Sequence, residues 1–162
     1  MSAIISPCGT YRYRLERETA GPGKTAVIMV NPSTADATED DATIRKLKGF
    51  GERYQWGTII VGNLFAYRAT DVRELASATD PVGSDNGYRL AEIFLDADQC
   101  VFAWGATGKL PKRLRGQWQE VDRIARAMHL SPMSIGAPAK DGHPCHPLML
   151  PYAAQLQPWS LS

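Results

Sequence analysis

The chain has 162 residues, 44% of them hydrophobic and 22% charged, with a formal net charge of +1. That length suits one domain with a continuous core, and the near-neutral balance excludes a strongly basic footprint of the kind long duplex DNA requires. Three widely spaced cysteines (Cys8, Cys100, Cys145) exclude a disulfide framework, and the lack of both a long apolar run and a signal-like start predicts a cytoplasmic protein without a membrane role.

In chain order, residues 10–18 (TYRYRLERE) alternate like a strand, and GPGK at 21–24 reads as a hairpin turn into the apolar strand 25–30 (TAVIMV). The near-continuous apolar run 26–30 predicts a strand covered on both faces. From Asp41, a cap residue, Ile44, Leu47 and Phe50 recur at helical spacing. Residues 57–65 (GTIIVGNLF) form a second buried strand, 71–76 a short helix, 85–97 a longer helix and 100–104 (CVFAW) a third buried strand. Residues 111–130 place Trp118, Val121, Ile124 or Ala125, and Met128 on one helical face. MSI (133–135) is a last short strand, leading into GAPAKDGHPCHPLMLP. This alternation predicts a single α/β domain over residues 1–162. Its layers are helix, sheet, helix, around a mainly parallel sheet of about four to five strands.

In open α/β sheets ligands bind outside the carboxyl ends of the parallel strands. The residues that follow the predicted strands are Asn31-Pro32-Ser33-Thr34, Asn63 to Arg68, Trp104 to Thr107 and His143 to His146. Four strand ends thus bring two Asn, two His, hydroxyls and aromatics to one rim. Asn31 and Asn63 each carry an amide with donor and acceptor groups, a pair suited to a planar polar ligand such as a nucleobase. Phe65, Tyr67 or Trp104 would stack on its face. His143 and His146 lie in a long loop stiffened by prolines, which reads as a shaped functional loop. Asp41 caps its helix; Asp36 or Asp41 either pairs with Arg45 or Arg68 or binds a cation with the nearby hydroxyls, and the sequence leaves these alternatives open.

Three sharper motifs fail on their chemistry. GPGKT (21–25) resembles the tail of a phosphate-binding loop, but Glu18 stands where a Gly is needed and the segment precedes its strand. HPCH (143–146) lacks the further ligands a zinc site requires, so no metal and no cofactor is expected. Cys145 and His146 are adjacent in an extended loop, where neighbouring side chains point apart, which disfavours a nucleophilic pair.

Four blocks resemble, in order, the uracil-DNA glycosylase superfamily: Asn31-Pro32, Asn63 in VGNLF, VFAWGATGK (101–109) and HPCHPL (143–148). The resemblance implies that fold, with Asn31 positioning a water, Asn63 reading the base edge and a His of the last block stabilising the leaving base. The inserted residue in HPCHPL leaves the choice between His143 and His146 open, with His143 the first candidate. The chain is also very similar to a bacterial and phage family of unknown function marked by NPSTAD (31–36), DDATIR (40–45), NLFAYRATD (63–71) and GHPCHPLML (142–150).

Two functional expectations follow. One is hydrolysis of an N-glycosidic bond in a nucleotide or a flipped or single-stranded nucleic acid. The other is a module that binds a nucleobase or nucleotide without chemistry, since Asn31 cannot act as a general base. In that case Arg68, Arg45, Ser33 and Thr34 would hold a phosphate. An enzyme acting on a small nucleotide metabolite shares that expectation. Neither reading specifies the oligomeric state.

Overall fold

The computed structural model describes residues 2–33 and 35–161. Its strands are β1 (Ser2–Ile5), β2 (Arg12–Glu18), β3 (Lys24–Met29), β4 (Thr58–Asn63), β5 (Gln99–Phe102), β6 (Met133–Ile135) and β7 (Leu156–Pro158). The helices are α1 (Ala42–Arg53), α2 (Asn86–Asp96) and α3 (Gln117–Ala127), with 3-10 turns at Val72–Ser77, Lys112–Leu114 and Pro147–Met149. The strands form one sheet in the order β1-β2-β4-β3-β5-β6-β7.

The predicted sheet is too small and too uniformly parallel. The central strands β4, β3, β5 and β6 run parallel, as the apolar runs imply. Three further strands, β1 and β2 on one side and β7 on the other, pair antiparallel. Neither β1 (SAII) nor β7 (LQP) has the length or period that marks a strand in sequence; each forms because it meets an open sheet edge.

The GPGK hairpin is also corrected. β2 does not pair with β3, because β4 inserts between them: Leu15 stands opposite Val61, while Val27 stands beside Val61 on the other side. The turn instead packs on the α1–β4 connection, where Gly21 N–H donates to the Trp56 carbonyl at 3.1 Å. A Cβ on Gly21 would lie 1.9 Å from the Gln55 carbonyl oxygen, so only glycine fits that approach.

Period-2 alternation assigns each strand residue to one face. Val27, Met29, Ile59, Val61, Val101 and Ala103 pack with Ile44, Leu47 and Phe50 of α1. Ala26, Ile28, Ile60, Cys100 and Phe102 pack with α2 and α3 through Leu90, Ile93, Phe94, Trp118 and Val121. Helices therefore cover both faces of the sheet. Asp41 caps α1 by accepting from Ile44 N–H at 2.9 Å, and α1 buries the predicted residues Ile44, Leu47 and Phe50. Among the described residues no helix is long and apolar enough to cross a membrane.

The order of the parallel strands reverses at β3, with β4 on one side of it and β5 on the other. The crevice at such a switch point is where open α/β sheets bind ligands.

Candidate functional site

At that end of the sheet lies a cleft of about 660 Å³, within the usual range for a small-molecule site. It is lined by Met29, Val30 and Asn31 from the end of β3 and by Asn63 from the end of β4. Ser33, Asp41 and Thr43 border it beside α1, Thr70 to Arg73 line the loop after β4, and Lys109 and His146 come from the loops after β5 and β6. Because β2 runs antiparallel to β4, its first residue, Arg12, reaches the same rim.

Asn63 is the most informative side chain in this cleft. It is 1% exposed, and neither its Oδ1 nor its Nδ2 has a hydrogen-bond partner among the described residues. Buried amides are almost always satisfied, because leaving one unpaired costs about 1–3 kcal/mol per group. Its backbone, in contrast, is fixed: Asn86 Nδ2 donates to the Asn63 carbonyl at 3.0 Å and to the Leu64 carbonyl at 3.3 Å. The amide is held in place with its polar capacity unused.

Asn31 has a divided role. Its Nδ2 donates to the Pro32 carbonyl at 3.0 Å and to the Ala69 carbonyl at 2.8 Å, and the Pro32 carbonyl also accepts from Ala69 N–H at 2.9 Å. Two carbonyl partners fix which end of the amide is NH₂, so Oδ1 is the acceptor end, without a partner among the described residues. Pro32 itself is buried and, without an N–H, cannot extend the ladder of β3 beyond its end at Met29. Ser33 Oγ donates to Asp41 Oδ2 at 2.6 Å, so both line the cleft as a bonded pair. Thr34 lies outside the described residues.

The structure separates the two histidines. His143 is 6% exposed; its Nδ1 accepts from Trp104 Nε1 at 3.1 Å, and its ring packs edge-on to Trp118 with centroids 5.4 Å apart. Burial depresses its pKa below the ordinary 6.5, against the opposing pull of Asp141. It does not line the cleft. His146 does: Gly105, at φ 82°, donates its N–H to the Pro144 carbonyl at 3.0 Å and draws the loop against the end of β5. A Cβ on Gly105 would stand 3.2 Å from His146 Cβ. His146 Nδ1 accepts from Leu148 N–H at 3.2 Å, and burial, opposed by Asp41, lowers its pKa. The neutral ring therefore carries its proton on Nε2.

The aromatics expected to stack on a base are not in the cleft. Phe65 is fully buried in the core on the α2–α3 face, and Trp104 joins Phe102 and Trp159 at 4.6 and 5.4 Å in an aromatic cluster. Tyr67 packs edge-on to Tyr11 at 6.2 Å. Apolar runs at strand ends serve the core before they serve a ligand.

The expected phosphate-holding arginines are also elsewhere. Arg45 is exposed and donates to the Asp40 carbonyl at 2.7 Å, while Arg68 reaches toward the Gly9 carbonyl at 3.5 Å. Asp36 accepts from the N–H groups of Thr38 and Glu39 at 2.8 and 2.9 Å, which lowers its pKa and closes a local turn. Instead, three unpredicted cations line the cleft: Arg12, Arg73 and Lys109. Arg73 forks onto Asp71, with Nη2 to Oδ2 at 2.7 Å, and that pairing holds the Asp71 carboxyl at about 2. Arg12 sits in an alternating stretch that reads as solvent-facing, so nothing in the sequence marks it.

Among the described residues no three His, Cys, Asp or Glu side chains are grouped as a metal would need. The cleft presents amides, a neutral imidazole, hydroxyls, three cations and the carboxylates Asp41 and Asp71. No curated protein and no solved structure matches the chain. Residues 12–148, which include every side chain that lines the cleft, match the family described as "Protein of unknown function (DUF1643)", and the chain belongs to that family.

Proposed function

We propose that this cleft recognises a nucleotide, with Asn63 reading the polar edge of the base. The observation that carries the reading is the buried Asn63 amide at the strand-end rim, both ends without a partner among the described residues. A base edge offers the complementary donor and acceptor side by side, and a ligand that satisfies both ends removes the desolvation cost the free protein bears. The apolar walls are Met29, Val30, Ile44, Val61 and Val72. They accept the flat faces of a base by contact rather than by aromatic stacking. A thermal-shift panel of bases, nucleosides and nucleotides tests this, because a ligand that binds only the folded state raises apparent stability. The expected result is a nucleotide-dependent rise that Asn63→Ala abolishes. A panel in which no base or nucleotide shifts the wild-type protein overturns the reading.

A second reading, N-glycosidic hydrolysis as in the glycosylases whose motifs the chain resembles, draws support from the placement of Asn31, Asn63 and His146 on one cleft. Here Asn31 Oδ1 would accept from the attacking water and His146 Nε2–H would donate to the departing base as negative charge builds on it. His146 takes this place, and His143 supports the wall behind it. Base release from uracil-containing or modified-base oligonucleotides and nucleotides, lost in both Asn31→Ala and His146→Ala, is the expected signature. Release that survives both substitutions rules the mechanism out.

A further inference from the structure

Strand β2 carries two buried arginines, and they are treated differently. Arg17, 1% exposed, donates from Nε to Asp40 Oδ1 at 2.6 Å and from Nη2 to the Asp36 and Glu39 carbonyls. It has the carboxylate partner that a buried cation ordinarily needs. Arg12, 3% exposed, has no ion pair among the described residues; Nη1 donates to the Ala35 carbonyl, and the buried Nε has no partner. Asp41 and Asp36 act on it only at a distance, and burial brings its pKa down to about 10, which leaves it cationic at neutral pH.

The backbone is built to put Arg12 there. Along the β1–β2 ladder, Ser2, Ala3 and Ile4 face Glu16, Leu15 and Arg14, but Ile5 faces Arg12, so Tyr13 is an extra residue in β2. Such a bulge shifts the alternation by one and re-aims the residues beyond it. Without it, Arg12 would follow Arg14, which points to Asp96 of α2 on the opposite face. With it, Arg12 falls on the face of Leu15, Val61 and α1, the face to which Asn63 also points by alternation with Ile59 and Val61. The bulge brings a guanidinium without a carboxylate partner among the described residues to the cleft that also holds the unpartnered Asn63 amide.

We infer that Arg12 anchors an oxyanion subsite in this cleft and that its occupant is the phosphate of a nucleoside monophosphate. Three cations against the two carboxylates Asp41 and Asp71 leave the lining net positive, which favours an anion. Arg12 and Lys109 line the cleft as cations without an ion-pair partner among the described residues, whereas Arg73 is taken by Asp71. Asp41 is held by Ser33 Oγ and Ile44 N–H, and so does not reach Arg12 as a salt bridge. A planar guanidinium with a free Nε edge matches a phosphate through paired N–H donors. The base half of this assignment rests on the nucleotide reading above; the anion half does not.

Titration calorimetry with inorganic phosphate, succinate, the common nucleosides and their 5′-monophosphates separates the two halves. The wild-type protein is expected to bind a monophosphate at least about tenfold more tightly than the matching nucleoside. Arg12→Met is expected to bring that ratio close to one, and Arg12→Lys, which keeps the charge but loses the fork, to lie between. A wild-type ratio near one, or a ratio unchanged in Arg12→Met, overturns the inference. So does tighter binding of succinate than of phosphate. Should Arg12→Met fail to fold, the wild-type ratio and Arg12→Lys decide the matter. If phosphate and monophosphate bind alike and Asn63→Ala alters neither, the base reading fails while the Arg12 subsite stands.

Discussion

The neighbourhoods of His143 and His146 lie three residues apart in sequence and have opposite hydrogen-bond economies. Around His143, Trp104 donates to Nδ1, Asp141 accepts from the backbone N–H at 3.0 Å, and Trp118 packs on the ring. Beside His146 the cleft is lined by buried Asn63 and by Arg12, whose Nε is open, and by Asn31 with Oδ1 open, none of these atoms having a partner among the described residues. The first region has spent its polar groups on the fold; the second has kept them back. Unsatisfied buried groups are rare in folded chains, and Asn63 stands apart because both ends of its amide are open, whereas Trp56, Asn86 and Arg89, away from the cleft, each lack a partner among the described residues at one atom.

The sharpest way to break this comparison is to remove one centrepiece from each region. Trp104→Ala empties an indole from the aromatic cluster and is expected to lower unfolding free energy by about 3–5 kcal/mol in chemical denaturation. Asn63→Ala removes an amide with no partner among the described residues, and by the same measurement it should either raise stability or lower it by less than about 1 kcal/mol. Comparable losses in the two variants would erase the distinction.

A smaller effect sharpens it further. Removing the acceptor from Trp104 by His143→Leu should lose about 1–3 kcal/mol, because the buried indole N–H is left unpaired. His143→Asn restores an acceptor without a titrating ring, which allows the pH response to be isolated. The folded-state pKa of His143 lies below the ordinary 6.5, so in the interval between the two values the unfolded chain binds the extra proton. Its contribution to stability is therefore present above that interval and declines as pH falls through it. Denaturation curves between neutral and mildly acidic pH should show a shallower decline for His143→Asn than for the wild type, with His146 supplying what remains. An unchanged slope would mean that the imidazole is not shielded as its tryptophan contacts require.

How much of this could be read from residue order depended on the range of the signal. The parallel centre came from buried strands read at 25–30 and 57–65, the α1 cap from Asp41, and the rim from the rule that strand ends carry ligands. Asn31, Ser33, Asp41, Asn63 and His146 do meet in one cleft. The aromatic assignments failed because Phe65 and Trp104 satisfy the core, a long-range packing outcome that local sequence does not encode. His143 and His146 are interchangeable in a string of letters; only the left-handed turn at Gly105 and the reach of Trp104 tell them apart. Arg12 was hidden by the Tyr13 bulge, since alternation assumes that every residue advances the pleat by one. Edge strands β1 and β7 were missed for a related reason, as their formation depends on a neighbour rather than on their own composition.

The central claim is that the polar groups left open in the cleft are completed by a nucleotide. A crystal structure of the protein grown with a saturating nucleoside 5′-monophosphate tests it most directly. The account predicts the base edge within hydrogen-bond distance of both Oδ1 and Nδ2 of Asn63, with the phosphate against Arg12. A nucleotide bound away from that cleft, or bound within it while Asn63 and Arg12 stay unpartnered, would contradict the account.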